Sequence, residues 1–178
     1  EPLHRAGAGL VVSGPTATVS SNINHTGGDF HVDAFAGDFK LVGHTFNVAS
    51  GLALTASGNI YMESCALAAG GNVLLECPGQ LRPHGTTATS GGFLVARGGT
   101  GLVIDQIGSQ PQFRRSLVRA RGSVPYGPGD GKRQMSVSLE SPRGPITLQA
   151  STVIGPRDCH VVAQQACSFL SQRYSMHV

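Results

Sequence analysis

Short segments in which apolar and polar residues alternate dominate the chain between residues 28 and 79. Phe30, Val32 and Ala34 fall on one face of a predicted strand, and the residues between them fall on the other. The same alternation recurs at Leu52/Leu54 and at Ile60/Met62. A period of two residues is typical of β-strands and not of helices. The pattern therefore predicts an all-β fold.

Glycines mark the ends of these predicted strands. A glycine followed by Asp or Asn and then by an apolar residue occurs at Gly28, Gly37, Gly58 and Gly71. Successive glycines at the predicted strand ends are mostly about six to nine residues apart. This spacing leaves room for a strand of four to six residues and a tight turn. This spacing is too short for repeats that contain helices.

Charged side chains are scarce in this region, because Glu63 and Glu76 are the only ones between Leu41 and Leu81. A single sheet with so little charge would leave an apolar face exposed to water. We therefore predict a β-helix or β-solenoid rod of short glycine-punctuated rungs, intertwined in a trimer whose chains cover one another. The predicted divisions are a rod at 1–107, an irregular Pro/Gly-rich loop at 108–134, and further rungs with a small cap at 135–178.

Composition supports a repetitive or assembled structure. The chain has 178 residues, no Trp, 6% aromatic residues and 13% charged residues, against roughly 25% charged residues in average domains. No apolar run of the length needed to cross a membrane is present, and the first residues do not resemble a signal peptide. We expect any membrane attachment to come through a segment absent from this chain.

The charge is unevenly divided along the chain. Residues 1–81 carry two basic and six acidic side chains, whereas the remainder carries eleven basic and four acidic ones. Four arginines in the second part, Arg114, Arg115, Arg119 and Arg121, could form an anion or nucleic-acid site. No aromatic platform or nucleic-acid motif accompanies them, so we expect a patch that faces the acidic half of a partner chain.

Four cysteines form two near pairs in sequence, Cys65 with Cys77 and Cys159 with Cys167. We predict disulfides, whose connectivity the sequence does not fix. Free buried thiols are one alternative, and a zinc site with His84 and His160 is another, although the usual CxxC spacing is absent. We expect no cofactor and no metal.

The tripeptide Asn24-His25-Thr26 is an acceptor sequence for N-linked sugar. It precedes two glycines, so we expect Asn24 to lie in an exposed turn.

The last segment, from Cys159 onward, contains the only pattern consistent with a helix, and a disulfide-closed pair of strands is the alternative. Either would cap the rod.

Three fragments resemble a known family: LRPHGTTATSGG, SLESPRGPITLQAS and CSFLSQ. They are similar to parts of the extracellular domains of β-, γ- and δ-type sarcoglycans. The resemblance implies a trimeric β-helical rod, outside the cell or at its surface, in a membrane-associated glycoprotein complex. It also implies Asn24 as a glycan site and no catalysis.

Enzymatic motifs such as GxSxG, HExxH and the phosphate-binding loop are absent. His31, Asp33 and His44 could form a metal-binding patch, but a solvent-facing polar stripe is the simpler interpretation. We therefore predict a non-catalytic structural subunit, a homotrimer or a heterotrimer with related chains within a larger complex. The alternatives are a phage tail or secretion-system spike, located in a virion in the first case, and a polysaccharide-cleaving solenoid.

Overall fold

The computed structural model describes residues 10–14, 22–106, 115–126, 133–170 and 173–176. These residues form three β-sheets and contain no helix. Sheet 1 contains β1 (Leu10–Gly14), β3 (Phe30–Ala34), β6 (Leu52–Ala56), β9 (Val73–Cys77), β12 (Leu94–Gly98), β15 (Val124–Pro125), β16 (Gln134–Ser141) and β19 (Asp158–Ala163). Sheet 2 contains β4 (Phe39–Val42), β7 (Ile60–Glu63), β10 (Gln80–His84), β13 (Gly101–Ile104), β17 (Ile146–Gln149) and β20 (Cys167–Leu170). Sheet 3 contains β2 (Asn22–His25), β5 (Thr45–Val48), β8 (Ala66–Ala69), β11 (Thr87–Ser90), β14 (Leu117–Ala120), β18 (Thr152–Gly155) and β21 (Arg173–Met176).

The chain winds repeatedly from sheet 1 to sheet 2 to sheet 3, and nearly every neighbouring pair of strands is parallel. The structure is therefore a parallel β-solenoid of about six turns, which confirms the predicted fold class. One chain supplies all three strands of each coil. Association of several chains, including a trimer, stays a prediction.

The regular coils have a repeat of 21 residues. Ile60 pairs with Leu81 in sheet 2, and Val73 pairs with Leu94 in sheet 1, each pair being 21 residues apart. In sheet 1 the partner that follows Leu94 is Val137, 43 residues later. Insertions before β14 and before β16 account for this longer coil.

The alternation predicted from the sequence places the core between the three sheets. Phe30, Val32 and Ala34 are fully buried, and the intervening side chains face outward with partial exposure. Phe30 also contacts Phe46 edge to face, with ring centroids 5.9 Å apart. The inward positions thus stack into continuous apolar rows along the solenoid, and burial of these rows is the main source of stability.

The Asp or Asn that follows each punctuating glycine links one coil to the next. Asp38 Oδ1 accepts a hydrogen bond from the backbone N–H of Asn59 at 2.7 Å, and Asn59 Oδ1 accepts one from the N–H of Gln80 at 2.8 Å. Asn72 Oδ1 accepts likewise from Phe93 N–H. These side chains satisfy backbone donors at the corners, where the ladder of a strand ends.

The corners at the edge between sheets 2 and 3 are stabilised in a different way. Its corner residue adopts a left-handed conformation at Gly43, Ser64, Gly85 and Ala150, with φ between 46° and 67°. The next residue points into the interior, and Ser116 and Ser151 at this position donate hydrogen bonds to the carbonyls of Asp105 and Ile104. Buried hydroxyls therefore add hydrogen bonds to carbonyl groups at this corner, where the Asp105 carbonyl also accepts from the Gly85 N–H.

Several predictions differ from the structure or fall outside it. Strand β14 lies inside the predicted irregular loop 108–134, because its inward Val118 and Ala120 continue the core rows of sheet 3. The described part of the C-terminal segment forms the strands β19, β20 and β21, so of the two alternatives, helix or strands, the structure shows strands. Parallel pairing with β16, β17 and β18 outweighs the weak helical periodicity.

Candidate functional site

The outward face of sheet 2 carries a group of interacting polar and aromatic side chains, hereafter the sheet 2 cluster. Its members are Lys40, Tyr61, Glu63, Arg82, His84 and Asp105. They come from β4, β7, β10 and the residue after β13, so four successive coils contribute. The 21-residue repeat brings these side chains together, because outward positions of successive coils stack at a strand spacing of about 4.8 Å.

Asp105 is the anchor of the cluster. Its Oδ2 accepts from Arg82 Nη2 at 2.8 Å, and its Oδ1 lies 2.6 Å from His84 Nδ1, which donates to it. The residue is only 8% exposed, so these charge-assisted bonds lie in a partly desolvated place. Because both carboxylate oxygens have partners, Asp105 orients His84 and Arg82.

Tyr61 lies at the centre of the cluster. Its hydroxyl donates to Glu63 Oε2 at 2.7 Å, and this bond raises the pKa of the phenol. The Lys40 ammonium and the Arg82 guanidinium lie 5.6 Å and 5.9 Å from the ring centroid. Both distances are within the range of cation–π attraction. The tyrosine thus links cations from the coils on either side of its own.

The outward face of sheet 1 carries a second, looser row. Thr55 Oγ1 donates to Asp33 Oδ1 at 2.8 Å and lies 2.9 Å from His31 Nε2. Further along, Arg97 lies 3.9 Å from Glu76 and 3.7 Å from Glu140. These side chains are exposed enough that each pair contributes about 0–1 kcal/mol. The row confirms the interpretation of His31 and Asp33 as part of a polar stripe.

The metal-binding alternatives gain no support from the arrangement. His44 lies at the edge between sheets 2 and 3, whereas His31 and Asp33 face outward from sheet 1. Among the described residues, no group of three or more His, Cys, Asp or Glu side chains is placed to hold a metal ion. The expectation that the protein needs no cofactor stays a prediction.

The structure has all four cysteines as thiols, which does not match the predicted disulfides. Cys65 follows β7 at the edge between sheets 2 and 3, whereas Cys77 ends β9 in sheet 1. Twelve residues are about half of a 21-residue coil, so the two thiols lie on different sides of the core. Cys159 is partly buried in β19 of sheet 1, and Cys167 is exposed in β20 of sheet 2. Burial raises the pKa of Cys77 and of Cys159.

The predicted basic patch is brought together only in part. Arg119 faces outward from β14 in sheet 3, and Arg121 follows directly at the corner that leads to sheet 1. Arg115 lies before β14, toward the edge with sheet 2. Arg114 lies outside the described residues. Among the described residues, Arg119 and Arg121 lie close together at the end of β14 that leads to sheet 1.

Asn24 is exposed, as glycosylation requires, but it lies within β2 and not in a turn. It pairs with Asn47 of β5, so the two asparagines lie side by side on the outward face of sheet 3. The alternating burial of β2 explains the difference, because Ile23 and His25 face inward.

Of the sheet 2 cluster, only His84 was considered from the sequence, as a possible zinc ligand. The sequence pattern did not predict the other five residues as a group. Tyr61 and Glu63 were visible as outward residues of one predicted strand, which was a partial signal. Arg82 and Asp105 gave none, because their pairing depends on the register between coils.

The comparisons with known proteins give one match. The family described as Hemagglutinin repeat matches residues 13–76, which is 64 of the 178 residues. The matched segment includes β2 through β8 and most of β9. No curated protein and no solved structure matches the chain. Within the part of the chain that the structure describes, no helix is long and apolar enough to span a membrane.

Proposed function

We propose that the protein is a non-catalytic structural subunit: a stiff β-helical rod that forms an extracellular part of a larger assembly. The observation that carries the proposal is the continuity of the core. Inward apolar rows extend without a break across the long coil, since Leu94 in β12 stacks directly on Val137 in β16. A solenoid built this way forms one continuous rod, because each coil pairs with its two neighbours along a single axis.

The similarity of residues 13–76 to hemagglutinin repeats supports an adhesin-like or structural role. Such repeats are typical of secreted or cell-surface proteins, which agrees with the extracellular location. The finer proposal, a subunit of a membrane-associated glycoprotein complex with a sugar on Asn24, depends on the sarcoglycan resemblance. Exposure of Asn24 supports that part of it.

The carboxylates that line three surface grooves can be compared with those that a polysaccharide-cleaving enzyme needs. The largest, about 470 Å³, has Asp29 as its only carboxylate, a second has only Glu76, and a third has none. Cleavage of a polysaccharide usually needs a pair of carboxyl groups on either side of the scissile bond. The lining of these grooves therefore favours a structural role over catalysis.

Light scattering on the intact chain tests the proposal, because it asks whether the rod assembles. We expect a mass that is a multiple of 18.4 kDa, whereas a monomer at every concentration would contradict an assembled subunit. Small-angle scattering should show an elongated particle.

Release of new sugar ends from a polysaccharide would favour the enzyme. A homotrimer that resists heat and detergent and carries no glycan would favour the phage or secretion-system spike.

A further inference from the structure

We propose that the edge where sheet 3 passes into sheet 1, hereafter the 3–1 edge, is an interface through which two copies of this chain pair side by side in antiparallel orientation. The inference rests on the proposed function, since it names the partner of an assembled subunit. It is carried by charges of opposite sign at two positions four coils apart along this edge, called its acidic and basic ends; the corner beyond the basic end, Arg157-Asp158, adds one charge of each sign.

The basic end of the 3–1 edge consists of Arg119 and Arg121. Both side chains are exposed, and neither forms an ion pair with any described residue. The arginines on the other two sheets differ, because Arg82 pairs with Asp105 and Arg97 lies between two glutamates. Two guanidinium groups without a carboxylate partner make this end a site for an anionic group.

The acidic end of the same edge is Asp29, which directly precedes β3 and is exposed. Its Oδ1 accepts hydrogen bonds from Ser50 Oγ at 2.7 Å and from Gly51 N–H at 2.8 Å. These bonds hold the pKa of the carboxyl below its usual value, so the group is ionised at neutral pH. Its Oδ2 has no partner among the described residues and is free to accept one.

The stacking of the coils sets the distance along the solenoid between the acidic end and the basic end of the 3–1 edge. The corner position at the end of sheet 3 is occupied in successive coils by Thr26, Ala49, Gly70, Gly91 and Arg121. Backbone bonds from Gly70, Gly91 and Arg121 to the preceding coil confirm this stacking. Four steps at a strand spacing of about 4.8 Å give a separation of roughly 19 Å.

An antiparallel pair related by a two-fold axis midway along the edge satisfies both ends at once. Asp29 of each copy then lies opposite Arg121 of the other, which gives two equivalent ion pairs. The corners between them are Ala49-Ser50, Gly70-Gly71 and Gly91-Gly92, whose side chains are small or absent and would not hold the two rods apart. In β2, β5, β8, β11 and β14, the outward face of sheet 3 carries no charged residue other than Arg119.

A parallel trimer in register would not use this edge in the same way. Its copies would place every Asp29 at one level and every Arg121 at another, so like charges would meet. The charge distribution therefore favours the antiparallel pair. A contact along one edge is smaller than a standard interface, so we expect weak association that decreases with salt.

Sedimentation equilibrium on the full chain at about 50 mM and about 500 mM salt tests the pairing, since screening lengths differ severalfold between them. The expected result is a dimer at low salt that dissociates at high salt. Asp29→Asn should weaken dimerisation about tenfold or more, equivalent to losing about 1.4 kcal/mol. Asn72 already caps its corner with an amide oxygen, so Asp29→Asn should preserve the fold. Asp38→Asn is the matched control, because it removes the same charge from a cap on a different edge and should leave the dimer unchanged.

The double variant Arg119→Gln/Arg121→Gln should weaken dimerisation by a similar factor. Mixing it with Asp29→Asn gives a sharper test, because a mixed pair keeps one of the two ion pairs. The mixed dimer should therefore be tighter than either variant alone. Binding of a short duplex DNA to the wild-type chain, lost in the arginine variant, would instead assign the arginines to nucleic acid and overturn the inference.

The failure of this inference and that of the proposed function can be told apart. A trimer, or a dimer unaffected by any of these variants, would overturn the antiparallel pairing and leave the assembled subunit intact. Weakening by the arginine variant but not by Asp29→Asn would also overturn it, since another anion would then be the partner. A monomer at every concentration and salt would contradict both.

Discussion

The regular coils between residues 30 and 104 and the long coil that contains both insertions are built differently. In the regular coils, Asp and Asn side chains such as Asp38 and Asn59 join each corner to the next. The first insertion lies instead at the edge between sheets 2 and 3, where the hydroxyl of Ser116 donates to the Asp105 carbonyl at 2.7 Å. The first insertion thus leaves and rejoins the solenoid at two hydrogen-bonded residues, and the apolar core continues across the long coil from Leu94 to Val137.

The largest expected effect tests whether that core is one unit. Leu54→Ala in a regular coil and Leu139→Ala after the insertions each remove a fully buried side chain, at a cost of about 2–5 kcal/mol in the free energy of unfolding. Urea denaturation followed by circular dichroism should show one transition that both variants shift. Two transitions, with Leu139→Ala affecting only one of them, would mean that the insertions divide the solenoid.

A smaller effect is expected at the anchor of the first insertion. Asp105→Asn removes the charge that Arg82 and His84 bond, and we expect a loss of about 1–3 kcal/mol, the range for hydrogen bonds to charged groups. The matched control is Asp38→Asn, where an amide oxygen can still accept the bonds from Asn59. Thermal denaturation of both variants checks the contrast. Equal losses would show that the anchor has no special role.

The smallest expected effect concerns pH and the corner between sheets 2 and 3. Burial lowers the pKa of His44, and its buried Nδ1 has no hydrogen-bond partner. The unfolded chain therefore binds a proton more readily, so stability should fall as pH decreases through about 6.5, the unfolded value.

His44→Thr should remove that part of the pH dependence, because Thr86 occupies the equivalent corner position with a hydroxyl that donates to the His84 carbonyl. The check is the denaturation midpoint measured between pH 5 and pH 8. An unchanged slope in the variant would assign the pH dependence to other groups.

Local sequence patterns determined much of the solenoid. Alternation at Phe30, Val32 and Ala34 specified a strand with one buried face, and the glycine before Asp38 or Asn59 marked a corner. These signals are local, because a side chain's face depends on the parity of its position and a corner depends on two or three adjacent residues.

The functional surfaces were decided by the tertiary structure. Arg82 and Asp105 meet because their coils are in register, and Asp29 and Arg121 share an edge for the same reason. Register between coils depends on the length of every insertion, since the step from Thr87 to its partner Leu117 is 30 residues and not 21. The same geometry separates Cys65 from Cys77, because twelve residues span only about half a coil.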